Sequence, residues 1–159
     1  MKSLPAIGAV LLLLSQSSHA DVTAKFIKAE EFTDFTLSGR GGDRAQSAFE
    51  AELKKQRGLQ SFVGDRKLEL TFTDIDMAGD TKRLRAMTGN NTRLIKGVYP
   101  PRMSFSYVLR DKGGRKITSG SASIKDLTFD RRLRGSSSTR RFYFELTMLE
   151  RWIRSNLPK

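Results

Sequence analysis

Between Lys67 and Thr73 the side chains alternate with period two, Leu68, Leu70 and Phe72 against Glu69, Thr71 and Thr73. Alternation of this kind belongs to a strand with one dry and one wet face. A chain holding it must build a sheet and find something apolar to cover one side. Arg102 to Arg110 repeats the pattern, with Met103, Phe105, Tyr107 and Leu109 in phase. Asp111-Lys112-Gly113-Gly114 then has the composition of a tight turn, because adjacent glycines tolerate positive φ. Lys116 to Ile124 is therefore expected to return antiparallel to its predecessor. Arg93 to Val98 is expected to add a strand that Pro100-Pro101 ends, and Val22 to Leu37 a first strand followed by an irregular segment.

The cover is expected from two amphipathic helices. Arg44 to Phe62 places Phe49, Leu53 and Leu59 or Phe62 on one side and Glu50, Glu52, Lys54 and Lys55 on the other, with Asp43 as cap and Gly58 weakening the last turn. Phe142, Leu146, Leu149 and Ile153 recur at helical spacing beside Tyr143 and Trp152, with Ser138 or Thr139 as cap. The fold class read from this pattern is α+β, an antiparallel meander with two amphipathic helices packed on one face.

Residues 1–20 read as a cleavable secretory signal: Lys2, the apolar run Ile7 to Leu14, and the exit Ser18-His19-Ala20. That run is too short to span a bilayer, which needs about 20 apolar residues. Residues 21–159 are then one domain with no transmembrane segment, expected in the periplasm of a Gram-negative bacterium. The chain has no cysteine, and its one histidine, His19, leaves with the leader. A Ser-His-Asp or Cys-His nucleophile and the usual zinc sites are thereby excluded from the mature protein. No cofactor is expected. Lysine and arginine total 29 against 17 acidic residues, a net charge of +12 that falls by one with loss of Lys2. Behind a signal peptide, such a surplus points to an anionic envelope component or an acidic protein. Nucleic acid is disfavoured, since aromatic residues to stack bases are few near the basic cluster.

Three groups of residues stand out as candidates. Arg131, Arg132, Arg134, Arg140 and Arg141 flank a serine-rich linker at the start of the last helix, where an anion would offset the helix dipole. Asp74 and Asp76 invite a metal reading, but a calcium loop starting at Asp74 would put Ala78 and Arg85 where oxygen donors are needed. Unless a bulge intervenes, alternation carries both aspartates to the inward face, where Arg93 or Arg102 would have to pair with them. Glu145, near the edge of the last helix's apolar stripe, invites the same ion-pair reading. Asp74, Asp76 and Glu145 are also the only trio suited to acid and base work, which would require a cleft holding two of them about 5 to 10 Å apart.

The run Thr73-Asp74-Ile75-Asp76-Met77-Ala78-Gly79, with Tyr99-Pro100-Pro101-Arg102-Met103, Tyr107-Val108-Leu109, Gly120 to Asp126 and Glu145 to Trp152, resembles DUF3016, a family of small secreted bacterial proteins of no assigned function. The resemblance covers most of the mature chain. It implies export, adds almost nothing about activity, and carries over no known catalytic residue. The function expected is a non-enzymatic binding module, the alternative a small envelope hydrolase acting through the three carboxylates.

Overall fold

The computed structural model describes residues 20–36, 42–80, 93–132 and 141–159. Four strands of the described residues form one sheet in sequence order: β1 (Asp21–Phe26), β2 (Lys67–Asp76), β3 (Arg102–Arg110) and β4 (Lys116–Lys125). Among the described residues three α-helices accompany them, α1 (Asp43–Lys54), α2 (Arg57–Val63) and α3 (Tyr143–Asn156). The protein is therefore α+β. The sheet is mixed, which corrects the antiparallel meander: β2, β3 and β4 alternate in direction, but β1 runs parallel to β2 from Asp21↔Lys67 to Phe26↔Phe72. The physical reason is the connection. A hairpin reverses the chain, whereas the segment holding α1 and α2 is a crossover long enough to bring β2 in alongside β1 in the same sense.

The expected single helix from Arg44 to Phe62 is two. Lys55 and Gln56 donate back to the carbonyls of Glu52 and Leu53, Gln56 turns extended, and α2 starts afresh with Leu59 and Val63 buried. Asp43 lies inside α1, and Gly42 holds the capping position at φ 76°. No strand forms over 93–98 among the described residues. Leu94 makes an isolated bridge to Asp80, and the chain turns at once, with Tyr99 N donating to Lys96 O. For the last helix, the expected caps Ser138 and Thr139 lie outside the described residues. Its capping position is Phe142, in left-handed backbone at φ 54°. Packing explains that conformation: the Phe142 ring is buried against Phe35 and Phe49, at 6.0 and 5.2 Å between centroids.

The core is built from rings on the alternating face. Phe26, Phe72 and Phe105 sit side by side across β1, β2 and β3, at 5.5 and 5.7 Å. Phe49 of α1 meets Phe72 edge-on at 5.4 Å, and Trp152 of α3 meets Phe105 at 5.2 Å and Tyr107 at 5.3 Å. Leu68, Leu70, Leu109, Leu146, Leu149 and Ile153 fill the space between. No described helix is long and apolar enough to cross a membrane.

Candidate functional site

The alternation that begins at Leu68 breaks once. The β2–β3 register shifts between Phe72 and Asp74, leaving Thr73 unpaired, and pairing resumes with Asp74↔Ser104, Ile75↔Met103 and Asp76↔Arg102. One extra residue reverses every side chain beyond it. Ile75 therefore turns inward and is fully buried, while Asp74 and Asp76 join Ser104 and Arg102 on the opposite face. This corrects the inward placement of the two aspartates. Asp74 accepts hydrogen bonds from Thr33 N (2.8 Å) and Thr33 Oγ1 (3.0 Å), tying β2 to the segment that follows β1. Asp76 lies 3.8 Å from Arg102. Burial pushes the Asp76 carboxyl above the usual aspartate range, the Arg102 guanidinium opposes this, and Asp34 and Asp74 push it further up.

Beyond Asp76 the chain Met77-Ala78-Gly79 is held by two residues from distant elements. Arg93 does not pair with Asp74 or Asp76. It grips Asp34 with both terminal nitrogens (2.8 and 3.1 Å) and also donates to the carbonyls of Met77, Ala78 and Gly79. Glu145, only 2% exposed on α3, accepts the Ala78 N–H at 2.7 Å. Burial is the main cause that raises the Glu145 pKa, and the Ala78 N–H and Arg93 work against it. Gly79 sits at φ 84°, and a Cβ there would come within 2.5 Å of Leu94 O, so no larger residue fits. Sequence reasoning missed Asp34, a lone aspartate in a short loop with no pattern to mark it.

This geometry separates the three carboxylates chemically. Asp74 and Asp76 line the open sheet face, while Glu145 is enclosed between α3 and the Met77–Gly79 turn. Among the described residues, no three His, Cys, Asp or Glu side chains are grouped to hold a metal ion. A broad open groove of about 1460 Å³ lies instead at the α1–α2 corner, lined by Glu52, Lys54, Lys55, Arg57 and Asp65 among others. None of the sequence-predicted residues that are described is among its lining.

Of the basic cluster, Arg131 and Arg141 are exposed, Arg134 and Arg140 lie outside the described residues, and Arg132 ends a 3-10 turn begun at Phe129. Nearby, Asp126 is nearly buried. It accepts from Thr128 N and Oγ1, both at 3.0 Å, with Arg151 at 3.6 Å.

The open face of the sheet carries hydroxyls and charge. Thr71, Ser106 and Ser121 are register partners across β2, β3 and β4, with Lys25 of β1 beside Thr71. Ser104 and Ser123 are 3.2 Å apart, and Glu69 pairs with Arg110 at 2.9 Å. Fold and surface together define a small α+β protein with an aromatic face and an open, polar, cation-bearing one. Residues 20–155 match the family model described as a protein of unknown function, DUF3016, and the chain belongs to that family. No curated protein and no solved structure matches it.

Proposed function

We propose that the protein is a non-enzymatic binding module of the Gram-negative periplasm, recognising an anionic envelope component or an acidic partner protein. In this reading residues 1–20 are removed as a signal peptide and 21–159 act as one domain. The family match starting at residue 20 supports that division. The helices cover one side of the sheet, as the contacts of Phe49 with Phe72 and of Trp152 with Phe105 support, and the other side is left to the partner.

The observation that carries the proposal is the unequal treatment of the two charge signs. The acids of the sheet are engaged within the molecule: Asp21 with Lys67, Glu69 with Arg110, Asp74 with Thr33, Asp76 with Arg102. By contrast Lys25, Lys116, Lys125, Arg131 and Arg141 are exposed and make no ion pair with a described residue. An anion approaching any of these cations meets a positive charge with no described acid matched to it. The arginines flanking the serine linker, Arg131, Arg132, Arg134, Arg140 and Arg141, are the segment proposed to add most to affinity. Their conversion to glutamine in the mature chain is expected to abolish retention of envelope material at moderate salt. Retention equal to the unaltered protein across a salt series would overturn the role given to the arginines.

A further inference from the structure

The two borders of the sheet are not alike. β1 is six residues long and carries Asp21 and Lys25, so it is short and charged. β4 is ten residues long, none of them buried, and Ile117 to Ile124 contain no charge and no proline. No described strand pairs with its outer side. Proteins normally blunt such an edge with charge, proline or brevity, because its unpaired N–H and C=O groups are a template for another chain. Here the centre, Ser119-Gly120-Ser121-Ala122-Ser123, is small enough to admit a neighbour's side chains. Gly120 is itself roofed by the Tyr107 ring, whose hydroxyl lies 2.9 Å from where a Cβ would stand.

Charge decides what the edge accepts. Lys116 and Lys125 bracket β4, lie beside Arg110 and Arg102 in the register, and pair with no described carboxylate. Two copies of β4 aligned antiparallel along their full length would set Lys116 of one against Lys125 of the other at both ends. Like charges directly opposite are unfavourable. An incoming strand with an acidic residue near each end turns both contacts into attractions. We infer that the outer edge of β4 is a strand-addition site for an extended acidic polypeptide segment, its backbone pairing with Ile117–Ile124 and its acids meeting Lys116 and Lys125. This inference rests on the binding-module reading and narrows it to a protein partner and one border of the sheet.

The test is amide hydrogen exchange on the mature chain with three probes: a ten-residue Thr/Val peptide with glutamates at both ends, a peptide of equal charge interrupted by two prolines, and vesicles containing anionic phospholipid. The first peptide is expected to protect alternate amides between Ile117 and Ile124, and the other two are not. K116E/K125E is expected to weaken binding of the first peptide by about tenfold or more, since two attractive contacts become repulsive. Equal binding by the proline-broken peptide or by vesicles, without β4 protection, would overturn the edge site and leave the broader reading standing. Protection that appears without peptide and grows with protein concentration would show a second copy there and overturn the choice of occupant. Failure of every anionic probe to bind would overturn both readings.

Discussion

Across the covered side of the sheet run Phe26, Phe72, Phe105 and Ala122 in register, and one step along the same strands, on the other side, run Lys25, Thr71, Ser106 and Ser121. The backbone between the two rows is shared, so the difference lies in side chains alone. The first row is packed ring to ring with α1 and α3, where each buried aromatic side chain removes a large apolar area from water. The second has hydroxyls that hydrogen-bond as well to water as to one another, and gains little from the fold. If the open face is the one that binds, as proposed, stability and recognition fall to opposite faces, and substitutions on each should report on different properties.

The largest effect is expected from the aromatic row. Phe72→Ala should cost about 3 to 5 kcal/mol in urea unfolding, because the ring touches Phe26, Phe49 and Phe105 and the gap cannot collapse. Ser106→Ala, at the next position along the sheet, should change stability by less than about 0.5 kcal/mol. Comparable losses would erase the distinction between the faces. A second group sits where the sheet ends. Asp34→Ala leaves Arg93 without its carboxylate, and with side chains only 15% and 16% exposed the loss should be about 2 kcal/mol, below the range for fully buried pairs. The double variant Asp34→Ala/Arg93→Ala should cost less than the sum of the single changes.

Glu145 sharpens the comparison through pH. Its carboxyl titrates above the usual glutamate value because it is buried. The folded protein therefore holds that proton more tightly than the unfolded chain. Its contribution to stability is fully present below the unfolded pKa and is lost as pH rises through the higher, folded value. Glu145→Gln keeps an acceptor for Ala78 N–H and carries no charge, so the variant should equal the wild type in acid and exceed it in stability at neutral and higher pH. Thermal unfolding from pH 4 to pH 9 reads this directly, and parallel curves would contradict it. A small effect is expected again on the open face: Glu69→Gln, which releases Arg110, should cost at most about 1 kcal/mol, the ordinary limit for an exposed pair.

The strongly patterned elements could be read from the sequence. Period two identified β2 and β3, the Asp111–Gly114 turn gave the β3–β4 hairpin, and the Phe142–Ile153 stripe gave α3. What escaped depended on distant parts of the chain. Nothing in Val22–Phe26 records that its partner is reached by a crossover, and so the parallel pairing was hidden. The bulge at Thr73 has no local mark either, since threonine suits a regular strand as well as a bulge. Yet that one residue decides whether Asp74 and Asp76 face the core or the solvent. Glu145 could be placed near the buried stripe, but its partner, a backbone N–H at Ala78, has no side-chain signature. The β4 edge is legible only once the strand order is known, because any strand can be central or peripheral.

The most direct measurement is an NMR titration of residues 21–159, the chain left by the proposed signal cleavage, with soluble polyglutamate, following every backbone amide. The two-face account predicts shifts concentrated on β4 and the open face, around Lys25, Lys116, Ser121 and Lys125, with Arg131 and Arg141 included and the aromatic face unmoved. Shifts centred on the α1–α2 groove, or spread evenly over all lysines and arginines, would contradict it.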